Sequence, residues 1–251
     1  MDAFDAALLG ATQGAAEFLP VSSSAHLSFL AQLLHVGGGV ALVVFLHLPT
    51  LLCIFCFYGR DVVRLVTDRR RELAFLAVAT VPGALVGYLL KDAMDSILKT
   101  NAFAGVGLVF TGTALIAATA LGRGNRRADD LSLRAALLVG FIQAGAVMPG
   151  VSRLGMCLSA LLLLRLSAGE VVRLSILLSL PMTLGAALLK SGRIVQLCSD
   201  TKPIFLVAGG VSAFVVGVCS LWLLLRLAGR QKLWIVGVYC WGAGIMAVAL
   251  S

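Results

Sequence analysis

Two apolar stretches of this chain are broken at their centres by nearly the same polar sequence. The first reads Gly10-Ala-Thr-Gln13-Gly-Ala-Ala-Glu17-Phe-Leu-Pro20-Val21-Ser22-Ser23-Ser24-Ala25-His26. The second reads Gly140-Phe-Ile-Gln143-Ala-Gly-Ala-Val-Met-Pro149-Gly150-Val151-Ser152-Arg153. At an offset of 130 residues, Gly10 matches Gly140, Gln13 matches Gln143, Ala16 matches Ala146, Val21 matches Val151 and Ser22 matches Ser152. A chain that places the same polar element twice inside apolar surroundings directs the search for a substrate site to those two places.

The surroundings are those of a membrane protein. Of 251 residues, 60% are hydrophobic and 13% charged, against about 25% charged in an ordinary soluble domain. Several windows reach the roughly 20 apolar residues that cross a bilayer core. The net charge of +8 sits between the apolar spans, so it faces lipid headgroups and not nucleic acid. Cys53 and Cys56 have the spacing of a redox or metal pair, but they lie mid-span without a second pair. With Cys157, Cys219 and Cys240 they read as small apolar residues.

Hydropathy predicts an all-α polytopic protein forming a single integral membrane domain over 1–251. Six full spans fall at about 39–58, 73–91, 102–121, 172–190, 204–226 and 233–250. Two apolar regions remain, about 3–35 and 134–166, each interrupted by the polar repeat. Arms of about 14 residues reach ~20 Å at 1.5 Å per residue, deep but not across. Each region is therefore expected to enter and leave on one side, as a re-entrant helical hairpin. With that topology, 14 basic residues (in 60–71, 123–134, 165–173 and 226–232) fall on one side and five (Lys91, Lys99, Lys190, Arg193 and Lys202) on the other. The positive-inside rule makes the first side cytoplasm. Both termini then lie outside, and the hairpins enter from opposite faces, with inverted topology and their tips near the midplane.

The tips carry the chemistry. Gln13 and Glu17, i and i+4, share a helix face, and Glu17 is the only carboxylate in its region after Asp5. It reads as a metal ligand or general base, or as the ion-pair partner of Arg153. Ser22, Ser23 or Ser24 after Pro20, and Ser152 after Pro149-Gly150, are placed to start a helix whose N-terminus points at the site, a ready position for an anion. Arg153 adds a planar fork that suits phosphate oxygens. His26 falls three and four residues after Ser23 and Ser22, on their face, where it can exchange a proton with a hydroxyl or a leaving oxygen. His47, before Pro49, reads chiefly as structural, with a place along the same cavity left open. Anion donors, one carboxylate, hydroxyls and a His at mid-membrane suit phosphate chemistry on a lipid whose tail lies between helices.

At these residues the chain resembles the bacterial undecaprenyl pyrophosphate phosphatases linked to bacitracin resistance. Their first motif is matched by Gln13, Glu17, Phe18, Leu19, Pro20, Val21, Ser22, Ser23 and His26. Their second motif, Pro-Gly-x-Ser-Arg-Ser-x-x-Thr, is matched by Pro149, Gly150, Ser152 and Arg153. It departs at Leu154 and Cys157, where the motif has Ser and Thr, and at Ala25, where Gly usually precedes the His. The resemblance implies removal of one phosphate from the C55 isoprenoid diphosphate at the outer face of the bacterial cytoplasmic membrane, recycling a cell-wall lipid carrier. It implies Mg²⁺ or another divalent cation such as Ca²⁺ at Glu17 and Gln13. Glu17, Ser23, His26 and Arg153 would be catalytic, with Ser23 the candidate nucleophile and His26 the proton carrier. Ser22, Ser24, Gly150, Ser152 and Arg153 would hold phosphate. Whether a serine or water attacks stays open, as do chain-length preference and a homodimer. The competing reading is a transporter or flippase of a phosphorylated isoprenoid lipid or small anion, which re-entrant inverted hairpins would also serve.

Overall fold

The computed structural model describes residues 2–36, 39–90, 101–122 and 124–251. Lys91, Lys99, the loop around them and Arg123 lie outside the described residues. Among those described, eleven α-helices and no strand are found. The first half comprises α1 (Ala3–Phe18), α2 (Ser23–Leu33), α3 (Gly39–Thr67), α4 (Arg70–Leu89) and α5 (Asn101–Leu121). The second comprises α6 (Leu133–Ala144), α7 (Arg153–Leu163), α8 (Ala168–Leu189), α9 (Ser191–Asp200), α10 (Pro203–Gly229) and α11 (Leu233–Ala249).

Among the described residues, five helices are long and apolar enough to cross a membrane, over Ala41–Thr67, Arg70–Leu89, Asn101–Leu121, Ala168–Leu189 and Pro203–Gly229. The protein is thus a multi-pass membrane protein. Its outer faces agree: Phe103, Val106 and Phe110 on α5, and Val207, Val211 and Val215 on α10, are all more than half exposed. Apolar stripes of that extent need lipid, not water, against them. The expected sixth span, α11, has 17 residues and reaches ~26 Å, slightly less than the ~30 Å core.

Two expectations need correcting. The span expected at 39–58 continues as helix to Thr67, because hydropathy marks the edge of the apolar stretch and not the end of backbone hydrogen bonding. Residues 191–203, read as a loop, contain α9, a short helix in which only Ile194 and Leu197 are half-buried. Its apolar residues are too few to register as a span.

Both broken regions are helix–turn–helix units. Asp2 starts α1 with a capping box: its carboxylate accepts from the Asp5 N–H at 2.8 Å, and the Asp5 carboxylate accepts from the Asp2 N–H at 2.9 Å. Pro20 forces Leu19 into extended backbone and ends the helix. Ser132 caps α6, accepting from the Ala135 N–H at 3.3 Å.

The two halves lock through reciprocal contacts. α1 lies on α10, and α6 lies on α4. A Cβ at Gly10 would stand 2.0 Å from the Gly209 carbonyl oxygen, and one at Gly140 would stand 2.7 Å from that of Ala79. Adding the repeat offset of 130 turns 10 into 140 and 79 into 209. The same helix–helix contact is thus made twice with the halves exchanged, which explains why glycine recurs in both repeats: only a residue without a side chain permits that approach.

The four basic segments gather at one end of the bundle. The Arg126 N–H donates to the Arg165 carbonyl at 3.0 Å, and Gly122, Gly124, Leu166, Gln231 and Leu233 line one small cleft. Beside it a buried ion cluster ties α3, α4 and α8. Arg173 makes a bidentate pair with Glu72 at 2.7 and 3.0 Å and also reaches Glu170, while Arg69 bonds Asp61 at 3.3 Å. Glu72 is only 4% exposed; paired and doubly hydrogen-bonded, it is tolerated there.

Candidate active site

The first tip turns sharply after Pro20. Ser22 adopts φ +67°, a region that residues with a Cβ seldom occupy. It occupies the N-cap of α2 without a side-chain capping bond; its hydroxyl instead meets that of Ser24 at 3.2 Å. Ser22 therefore leaves the first-turn N–H groups of α2 without a side-chain cap, beside the cavity that Ser22, Ser23 and Ser24 line.

The second tip is built differently. Its positive φ falls on Gly150 (+79°). Ser152 caps α7 conventionally, its hydroxyl accepting from the Gly155 N–H at 3.1 Å. Arg153, the next residue, reaches across to the first tip.

The tips meet at Glu17. Its Oε1 accepts from Arg153 Nη2 at 2.8 Å; its Oε2 accepts from Gln13 Nε2 at 3.0 Å and Ser23 Oγ at 3.1 Å and contacts His47 Nε2 at 3.2 Å. Arg153 Nη2 is also 3.3 Å from Thr183 Oγ1. The other His47 nitrogen is 2.7 Å from the Val43 carbonyl. Both His47 partners accept, so both bonds are made only by the doubly protonated ring. Around these groups lies a cavity of about 310 Å³, lined by Glu17, Ser22, Ser23, Ser24, His47, Ser152 and Arg153, with apolar walls from Ile176, Met182 and Ala186. Polar groups converging in a largely apolar pocket of this size form the standard small-ligand arrangement.

Most of the sequence-derived residues are brought together here: Gln13, Glu17, Ser22, Ser23, Ser24, Ser152 and Arg153. Two are placed elsewhere. His26 turns away from the hydroxyls of Ser22 and Ser23; its nitrogens meet the Ser22 carbonyl at 3.0 Å and the Tyr239 hydroxyl at 2.8 Å, and its ring stacks on Tyr239. Sharing a helix face did not bring the ring to the pocket, because Tyr239 from α11 offers it a partner outside. Gly150 faces α5, where a Cβ would stand 1.9 Å from the Ala104 carbonyl oxygen. Conversely, His47 and Thr183 enter the site from α3 and α8. The His before Pro49 was the one signal for the former; the latter had none.

The site holds one carboxylate, and among the described residues no three His, Cys, Asp or Glu side chains converge as a metal cluster. One feature fits a cation. Gln13 is fully buried, and its Oε1 has no partner while its Nε2 is spent on Glu17. An orphaned amide oxygen beside a carboxylate is a suitable pair of hard ligands for Mg²⁺ or Ca²⁺, with substrate oxygens and waters completing the shell.

Residues 6–246 match the model of the family described as bacitracin resistance protein BacA. The chain belongs to that family. An undecaprenyl-diphosphatase of Geobacter metallireducens is 36% identical over 268 residues, covering 98% of each chain. One of Methanosphaera stadtmanae is 33% identical over 274 residues, covering all of this chain and 99% of its own. Undecaprenyl-diphosphatase 4 of Bacillus thuringiensis is 32% identical over 254 residues, covering all of this chain and 98% of its own. Both tips fall inside the family match.

Proposed function

We propose that this chain is an undecaprenyl-diphosphatase, removing the terminal phosphate of the C55 isoprenoid diphosphate at the outer face of the bacterial cytoplasmic membrane. The observation that carries this reading is the meeting of the two tips: Ser23, Glu17 and Arg153 stand within hydrogen-bond reach in one cavity. The isoprenoid tail lies between apolar helices, and the diphosphate enters the cavity. Arg153 and the first-turn N–H groups of α2 bind its oxygens and meet the charge that develops on the transferred phosphoryl group.

Ser23 attacks. Its Oγ forms a bond to the terminal phosphorus as the bond from that phosphorus to the bridging oxygen breaks, and the lipid monophosphate leaves with the electron pair. The Ser23 proton passes to Glu17, the carboxylate it already hydrogen-bonds. Water then hydrolyses the phosphoserine and releases phosphate. Gln13 and Arg153 hold Glu17 in place from two sides, and His47 presents an N–H to the same carboxylate. A divalent cation, Mg²⁺ or Ca²⁺, would be held by Glu17 and Gln13 and would supply further charge neutralisation.

The inverted, re-entrant arrangement belongs to the same proposal. Six spans with both termini outside put the basic end of the bundle in the cytoplasm. That end's collected Arg residues and the exchanged Gly10 and Gly140 contacts support this arrangement. The decisive assay is phosphate release from undecaprenyl diphosphate, or a C15 analogue, by the purified protein. Release is expected in the parent and absent in Ser23→Ala, with a labelled phosphoenzyme trapped by acid quench only in the parent. A parent that binds the lipid but releases no phosphate overturns the hydrolase reading in favour of a lipid transporter.

A further inference from the structure

α5 supports both tips. Its Ala104 and Leu108 pack with Val21 and Ala25 of the first tip. The second tip rests on Ala104, Gly107 and Thr111, which at i, i+3 and i+7 form one helix face. The fit there is close. A Cβ at Gly107 would stand 2.2 Å from the Pro149 carbonyl oxygen, and one at Gly155 would stand 2.9 Å from Thr111 Cγ2. At the end of this seat two polar contacts fix register: the Ser152 N–H donates to Thr111 Oγ1 at 2.9 Å, and Thr111 Oγ1 stands 3.3 Å from the Gly150 carbonyl oxygen. The Thr111 hydroxyl donates in turn to the Gly107 carbonyl at 2.9 Å. Thr111 is fully buried, so none of these contacts has water as a substitute.

We propose that Thr111 is a positioning residue of the active site, acting through Ser152 to set the distance from Arg153 to Glu17. The proposal rests on the phosphatase reading. Both tips are referred to one helix, so a slip of the second tip along α5 moves Arg153 relative to Glu17 and the Ser22–Ser24 hydroxyls. Packing resists motion into α5, whereas the hydrogen bond resists sliding along it. Thr111 does not line the cavity and touches no substrate.

The test is a double-mutant cycle with two readouts. Thr111→Val keeps the shape but leaves the Ser152 N–H unpaired; Thr111→Ser keeps the hydroxyl. In the parent background, Thr111→Val is expected to lower kcat/KM by about 10- to 100-fold, chiefly through KM, while Thr111→Ser stays within about threefold of the parent. In an Arg153→Ala background, Thr111→Val should cost less than about twofold, because the group it positions is gone. Thermal stabilisation by farnesyl methylenediphosphonate, which cannot be hydrolysed at the bridge, should follow the same pattern. An equal loss from Thr111→Val in both backgrounds, or Thr111→Ser behaving like Thr111→Val, overturns the proposal. If the parent binds the phosphonate but releases no phosphate from the natural lipid, the hydrolase reading fails, and the binding cycle still decides the role of Thr111.

Discussion

Removing the charge of Glu17 while keeping its shape should loosen the junction of the two tips. Glu17 accepts from Arg153 on one oxygen and from Gln13, Ser23 and His47 on the other. In Glu17→Gln the new NH₂ must face one of these donor sets, whichever way the amide turns. Arg153 also loses its carboxylate. Breaking a fully buried pair from one side costs about 3–5 kcal/mol. Here Glu17 is 9% exposed but Arg153 is 24% exposed, so water in the cavity recovers part of that, leaving about 2–3 kcal/mol. For a chain of this length, 1 kcal/mol shifts Tm by about 2–4 °C, so the midpoint should fall by about 4–12 °C. Arg153→Gln should cost a similar amount by stranding the carboxylate. The double variant strands neither, and should be more stable than the sum of the singles by at least about 1 kcal/mol. The measurement is thermal unfolding of detergent-solubilised protein followed by intrinsic fluorescence at a fixed scan rate, since irreversible unfolding makes the midpoint rate-dependent. Singles that add to within about 0.5 kcal/mol would refute the idea that this ion pair joins the tips.

Other outcomes follow from the same geometry. Arg153→Ala should lose at least about 100-fold in kcat/KM, equivalent to ~2.7 kcal/mol of transition-state stabilisation, and Arg153→Lys should recover only part, because a point charge cannot bind two oxygens as a fork; both are read by phosphate release. Gln13→Glu should lower the Mg²⁺ concentration for half-maximal rate by adding a carboxylate where an amide oxygen now stands, whereas Glu17→Gln should abolish metal-dependent turnover; rate against Mg²⁺ for the three proteins checks both. Exposed Cys198 on α9 should react with an impermeant thiol reagent on intact spheroplasts, and labelling only after lysis would reverse the orientation. Gly10→Ala should reduce the yield of folded protein strongly, since its Cβ has 2.0 Å to the Gly209 oxygen, while Gly59→Ala, with nothing within 4 Å, should express like the parent; monodispersity in size-exclusion chromatography compares them.

The parts of the site legible in the sequence were those whose partners are local or repeated. Gln13, Glu17 and Ser23 lie within one turn–helix unit, and Arg153 stood out as the one basic residue without a loop. What the sequence left open or did not signal depends on which helices become neighbours. His47 reaches Glu17 only because α3 packs beside α1, and periodicity within α3 carries no trace of that. The contact of His26 with Tyr239 is hidden for the same reason, since that partner comes from the other end of the chain. The ion cluster escaped notice because Arg173 and Glu72 each look like charges at a span boundary; only their pairing buries them. Helix breaks, by contrast, were readable because Pro and Ser act on the backbone at their own positions.

The exchanged glycine contacts repeat one helix–helix approach in both halves, yet the charges of the pocket between them do not repeat. Shifted by the repeat offset, Glu17 falls on Val147, and Arg153 falls on Ser23. The acid has no twin in the second half, and the base has none in the first. A pair of first halves would set two carboxylates against each other, and a pair of second halves would oppose two guanidiniums. Each half carries one sign of charge at the pocket and not the other, so a complete pocket exists only where the two different halves meet.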